Sequence, residues 1–259
     1  MSISDWPAEE YAIGSFMQAT VSDRYLDMLP IYPADAVLDI GCGDGSYSHK
    51  IMQHFPVASY TGIDASSNMI ALAKKTIGTN PKVTLQNLDV NTMKFSKEFD
   101  CIVSFWCLQW TQNIKKSLEN IYVALNNHGR FFAIFPTGDD PYILMYKKVR
   151  DSHQFPSLKN FIPPVDVDYR KFSGLREELY FLPFINPQLE RAQQNVTLPS
   201  LDIYRKFVNG IAFYQGQVPD DEVREINEAM VQAFQTFCDK NYNGELRFEF
   251  SIYVLKARK

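Results

Sequence analysis

The run Val37-Leu38-Asp39-Ile40-Gly41-Cys42-Gly43-Asp44-Gly45 sets three glycines at alternate positions directly after an apolar stretch. Glycine permits a tight turn and lets a ligand lie against bare backbone. The spacing is GxGxG, and Ser46 stands where the third glycine of a GxGxxG dinucleotide fingerprint would fall. A pyrophosphate cradle is therefore disfavoured, and a nicotinamide-linked oxidoreductase with it. Asp39, inside the turn, suits a cationic ligand better than a phosphate. A plain strand-to-helix turn is the bland alternative, and three more features weigh against it. Asp64 ends a second apolar run, 19 residues after Gly45, where its carboxylate can accept both hydroxyls of a ribose. Capping a helix near Ser66 is its structural alternative. Asn87-Leu88-Asp89-Val90 ends a third run, and Asp89 can accept from an adenine amino group while the next backbone amide serves a ring nitrogen. Ser104-Phe105-Trp106-Cys107-Leu108-Gln109-Trp110 follows a fourth run and would flank the reactive end of the ligand.

Those positions need a scaffold, and the hydrophobic pattern supplies one. Strands are expected at Ala36–Ile40, Ser59–Ile63, Lys82–Leu88, Phe99–Phe105 and Arg130–Phe135, with helices over Ser46–Phe55, Asn68–Ile77 and Ile114–Leu125. A turn is expected at Asn126-Asn127-His128-Gly129. Strand–helix alternation at this spacing argues an α/β fold with a doubly wound, mostly parallel sheet. In such sheets ligands bind at the carboxyl ends of the strands, where all four features lie. The Pro- and aromatic-rich stretch 136–187 reads as a helical cap inserted after strand five, and 1–32 as an N-terminal helical segment over the site. Gln188–Leu198 is expected as a strand, Asp220–Phe237 as a helix and Glu245–Leu255 as a half-buried strand. The whole chain reads as one domain of 259 residues.

Composition narrows the class. Apolar residues make up 46% and charged residues 22%, as in ordinary globular proteins. With 26 Lys and Arg against 30 Asp and Glu, nothing suggests the basic face that nucleic-acid binding needs. Aromatic content of 14% exceeds what a core alone explains and favours a pocket for an apolar or flat ligand. Cys42, Cys101, Cys107 and Cys238 form no CxxC pair, so no metal site or disulfide framework is expected. Neither a basic leader nor about 18 consecutive apolar residues occurs, and a cytoplasmic protein is expected.

From Pro33 to Phe135 the chain resembles class I S-adenosylmethionine-dependent methyltransferases, which implies a Rossmann-like sheet of seven strands with a last antiparallel strand near Phe248–Leu255. The resemblance assigns the methionine part of the cofactor to Asp39, Gly41 and Gly43. It assigns the ribose to Asp64 with Ala65 and the adenine to Asp89 and Val90, with Met69 as a hydrophobic wall and Ser104 and Phe105 nearby. A narrower resemblance covers nearly the whole chain. Tyr11…Ser15-Phe16-Met17-Gln18 and Ser104 to Asn113 are similar to juvenile hormone acid methyltransferases, and Trp6…Tyr11 to trans-aconitate methyltransferases. It implies that Gln18 and Trp110 position a substrate carboxylate, with Tyr11 and Trp106 beside them. The basic residue usual just after that glutamine is replaced by Ala19-Thr20-Val21. Malonyl-carrier-protein methyltransferases share the pattern; a carrier partner would need a basic surface, for which Arg170, Lys171 and Arg176 are the thin candidates.

Carboxyl methylation suits the residues present. A carboxylic acid, with a pKa of roughly 4, arrives ionised and needs no general base. His49, His54 and His128 read as solvated, and His153 is the one histidine placed to enter a pocket. An Arg or Lys clamp would favour the charged ground state over a transition state in which that charge fades, whereas indole and amide donors do so less. The expected substrate is thus a small organic acid, with no metal, nucleic acid or membrane. Other N- or C-methylation, and a catalytically silent cofactor-binding protein, remain the alternatives.

Overall fold

The computed structural model describes residues 16–159, 161, 172 and 174–259. Seven strands, β1 Ala36–Ile40, β2 Ser59–Asp64, β3 Val83–Asn87, β4 Phe99–Phe105, β5 Leu125–Pro136, β6 Ile185–Thr197 and β7 Arg247–Arg258, form one sheet in the order β3-β2-β1-β4-β5-β7-β6. β1 to β5 pair in parallel, and β7 runs antiparallel to both β5 and β6. The strand order reverses between β1 and β4, which opens a crevice at their carboxyl ends.

The helices are α1 Phe16–Asp23, α2 Ser46–His54, α3 Ser67–Ile77, α4 Ile114–Ala124, α5 Pro141–Asp151, α6 Pro156–Lys159, α7 Leu175–Phe181, α8 Leu201–Ile211 and α9 Asp220–Tyr242. Local chemistry sets their starts. The Ser66 hydroxyl accepts from the Met69 amide at α3, and the Asn113 side chain accepts from the Lys116 amide at α4. At α5, Asp140 accepts from the Ile143 amide, and Pro141 stands where its missing N–H costs nothing.

Alternation along the central strands divides two cores. Val37, Val103, Phe132 and Ile134 face one side, packed with α1, α2, α5, α8 and α9. Leu38, Ile40, Ile102, Phe131 and Phe135 face the other, packed with α4 and α7. The segment after β5 is split between them. Tyr142, Tyr146 and Leu158 join the first core, whereas Phe172, Leu179 and Phe184 join the second. Its described aromatics are therefore divided between the two faces of the sheet.

Three readings need correction. The turn at Asn126–Gly129 is carried inside β5, with His128 at φ 65° as its irregularity. Helix α8 lies in a stretch with no assigned element, although its buried Tyr204, Phe207, Val208 and Ile211 follow helical spacing. The strand expected at 188–198 starts at Ile185 and the one expected at 245–255 ends at Arg258, because pairing between β6 and β7 continues to those residues, and the 220–237 helix runs on to Tyr242.

Candidate functional site

Gly41, Gly43 and Gly45 turn the chain from β1 into α2 with φ of 77°, 55° and 78°. The first is required twice over. A Cβ on Gly41 would lie 2.3 Å from the Cys107 Cβ, so the loop after β4 presses directly on the glycine turn. A Cβ on Gly43 would meet nothing within 4 Å, so this glycine leaves open space above the backbone. Trp106, at the end of β4, also takes a left-handed φ of 55°, a strained state for a bulky side chain. Its amide donates to the Ile134 carbonyl, and its indole N–H donates to the Ser22 hydroxyl of α1.

Three hollows surround this junction. The first, beside β2 and β3, is lined by Gly41, Gly43, Asp64, Ala65, Met69, Asp89, Val90, Phe105, Trp106 and Trp110. It therefore gathers most of the expected cofactor residues. The Asp64 carboxylate accepts from the Gly43 amide at 3.0 Å and the Ser66 amide at 2.9 Å, which fixes its direction at the cleft. Asp89 is exposed and accepts from the Asn91 amide at 2.7 Å through one oxygen. Ser66, Leu88, Thr111 and Gln112 also line this cleft and were missed by sequence reasoning; the last two follow Trp110 in the chain.

The second hollow lies between the glycine turn and α1. Gln18, Ser22, Asp39, Gly41, Gly43, Tyr47, Lys50, Phe105 and Trp106 line it. Gln18 Oε1 and the Tyr47 hydroxyl are buried there and find no hydrogen-bond partner among the described residues. Asp39 is buried, with the Ser48 and Tyr60 hydroxyls donating to one oxygen. Burial pushes its carboxyl up to about 6 against the pull of those two hydrogen bonds, and the nearby charge of Asp64 adds to the rise. Lys50 is paired with Asp23 of α1 at 2.6 Å. A buried carboxylate and an orphaned amide oxygen are the acceptors a ligand's ammonium group needs.

The third hollow is apolar. Met17, Gln18, Trp106, Gln109, Trp110, Pro136, Asp140, Tyr142, Ile143, Phe207, Ile211, Phe248 and Phe250 line it. Trp106 borders all three hollows, Trp110 borders the first and third, and Gln18 the second and third. No Arg, Lys or His stands among the described residues of this lining. His153 is exposed beyond α5, His49, His54 and His128 are also exposed, and none reaches the pocket. Asp140 was missed, although its place before Pro141 marked it as a cap. Burial pushes its carboxyl up to about 6 as well.

Some expected residues stand elsewhere. Ser104 is buried, donates to the Ile40 carbonyl at 3.0 Å and lines none of these hollows. Its hydroxyl ties the ends of β1 and β4 together instead of facing a ligand. Tyr11, Arg170 and Lys171 lie outside the described residues, and the Arg176 guanidinium donates to the Leu189 carbonyl. No cluster of metal-ligating side chains occurs among the described residues, and no helix there is long and apolar enough to cross a membrane.

Residues 37–129 match the family model for a methyltransferase domain. A malonyl-acyl-carrier-protein O-methyltransferase from Priestia megaterium is 34% identical over 104 residues, 40% of this chain and 38% of that protein. The juvenile hormone acid O-methyltransferase of Drosophila melanogaster is 25% identical over 197 residues, 72% of this chain and 66% of that protein. The chain thus spans less than two thirds of the length of either curated relative. Among solved structures, the YcgJ protein from Bacillus subtilis superposes with a TM-score of 0.60 at 17% identity, covering 93% of this chain and 98% of that one. The shared fold is the class I methyltransferase fold.

The raised carboxyl of Asp39 has a measurable consequence. Its folded value near 6 exceeds the unfolded 3.8, so the native state holds the proton longer and stability falls as pH rises from about 4 to 6, then levels. Asp39→Asn lacks that fall. Urea unfolding should show the variant gaining about 2–3 kcal/mol on wild type between pH 4 and pH 7; a constant difference would mean that Asp39 titrates normally.

Proposed function

We propose that this chain, which carries a class I methyltransferase domain, transfers the methyl group of S-adenosylmethionine to the carboxylate of a small organic acid. One observation carries the reading. Two hollows that carry acidic side chains and one more strongly apolar pocket meet at Trp106, and the neutral side chains of Gln18 and Trp110 stand at the shared walls.

The cofactor fits the residues present. The cleft beside β2 and β3 would hold the adenosine, with Asp64 accepting from the ribose hydroxyls, Asp89 from the adenine amino group and Met69 against the ring. Asp39 and Gln18 Oε1 would take the methionine ammonium. The cofactor supplies a methyl carbon bonded to a sulfonium. What the protein supplies is placement, because in-line displacement needs the nucleophile about 3–3.5 Å from that carbon. Gln18 and Trp110 would orient the acid by their amide and indole N–H groups. The apolar walls keep out water, which strengthens the attraction between carboxylate and sulfonium. An acid arriving ionised requires no proton transfer, in keeping with a pocket whose described lining contains no histidine.

The relatives support an oxygen nucleophile, since two are named as O-methyltransferases, one of juvenile hormone acid and one of malonyl-acyl-carrier protein. A carrier-bound acid is the less favoured form of the same chemistry, because Arg176, the described member of the expected basic surface, is committed to the Leu189 carbonyl.

A screen of organic acids with methyl-labelled cofactor tests the reaction. Label should appear in a product that base hydrolyses, as an ester must; label in base-stable product would move the acceptor to nitrogen or carbon. For the cofactor, Asp64→Ala should lower S-adenosylhomocysteine affinity by roughly tenfold or more in calorimetry, as a charged hydrogen-bond acceptor is lost. Unchanged affinity would remove Asp64 from the site. For the acceptor, Trp110→Phe keeps the aromatic wall and loses the N–H donor. It should lower the rate while leaving cofactor affinity nearly intact, and combined with Gln18→Ala the loss should be less than the sum of the two.

A further inference from the structure

We propose that Asp140 is a specificity-determining residue of the acceptor pocket, turning away acids that bear a second carboxylate and admitting those whose remote end is apolar or donates a hydrogen bond. This rests on the carboxylate-methylation reading above.

Asp140 lines the apolar pocket beside Tyr142 and Ile143, and it lines neither hollow assigned to the cofactor. It is thus part of the wall that the body of the acid would meet and not of the walls assigned to the cofactor. No counter-charge stands among the described residues of the lining. Gln109 donates its amide to the Trp106 carbonyl. The neighbouring Asp139 adds negative charge and is itself engaged by Arg191, Thr137 and Ser251. Asp140 also caps the start of α5. A helix N-terminus attracts anions through its unpaired amides. Here the Ile143 amide already donates to the Asp140 carboxylate at 3.1 Å, and the Leu144 amide to the Asp140 carbonyl. A substrate carboxylate arriving there would find the donors taken and a like charge in front of it. At neutral pH that charge is present, since burial raises the Asp140 carboxyl only to about 6. A buried pair of like charges without a cation is strongly disfavoured. A hydroxyl in the same place would instead donate to the carboxylate.

The test uses matched acids of six to twelve carbons: the monoacid, the ω-hydroxy acid and the α,ω-diacid of each length. Turnover is read as base-labile methyl ester, and affinity by calorimetry on the protein saturated with S-adenosylhomocysteine. Wild type should prefer the mono- and ω-hydroxy acids over the diacid by at least tenfold in both readouts. Asp140→Asn keeps a good helix cap, and it should raise the diacid-to-monoacid ratio at least tenfold. A wild-type ratio near one, or a ratio unmoved by the substitution, overturns the role given to Asp140. Loss of every acid's turnover in Asp140→Asn, with acid and cofactor affinity retained, also overturns it and makes Asp140 a base. If no acid yields an ester with wild type, the carboxylate reading itself falls, and this inference with it.

Discussion

The site depends on one close approach. The turn after β1 and the loop after β4 are in contact, and only a residue without a Cβ can stand at Gly41, because a methyl group there would overlap Cys107. That contact draws the ends of the two central strands together at the point where the strand order reverses. Just before Cys107, the chain leaves β4 through Trp106 in a left-handed conformation. The strain is held by hydrogen bonds at both ends of the residue, from its amide to Ile134 and from its indole to Ser22. Trp106 is thereby fixed where the three hollows meet.

Charge is distributed to match. The two hollows assigned to the cofactor carry the acidic groups Asp39, Asp64 and Asp89, suited to a ligand that offers hydroxyls, an amino group and an ammonium. The acceptor pocket holds aromatic and aliphatic walls, neutral amides and Asp140. A cationic sulfonium and an anionic acid would therefore meet where the acid-bearing hollows adjoin the apolar pocket. Asp39 and Asp140 are both buried, and both carboxyls are held above the usual range by that burial. Such groups cost stability at neutral pH, which is a reason to look for their use in binding.

The first half of the fold was legible because each element there carries a strong local signal. Asp39, Gly41, Gly43, Asp64 and Asp89 sit at the ends of short apolar strands, and β1 and β4 have the bounds their apolar runs imply. Ser104 misled because its hydroxyl is taken by the Ile40 carbonyl of the neighbouring strand, a cross-strand pairing that one apolar run cannot reveal. The acceptor pocket was less legible. Gln18 and Trp110 came from a family resemblance, whereas Phe207, Ile211, Phe248 and Phe250 come from α8 and β7, about 100 or more residues away in sequence from Trp106. No local pattern encodes that meeting. Asp140 carried a visible signal as a helix cap, but its burial in the pocket depends on tertiary packing.

The account's central claim is that the cofactor's reactive end and the acid meet at Trp106. A crystal structure with S-adenosylhomocysteine and an aliphatic monocarboxylic acid bound tests it most directly. The account predicts the sulfur beside Trp106, the adenosine between Asp64 and Asp89, and the acid's carboxylate between Gln18 and Trp110, facing the sulfur. A cofactor bound in register but with its sulfur turned away from Trp106, or an acid seated outside the pocket lined by Phe207 and Phe250, would contradict it.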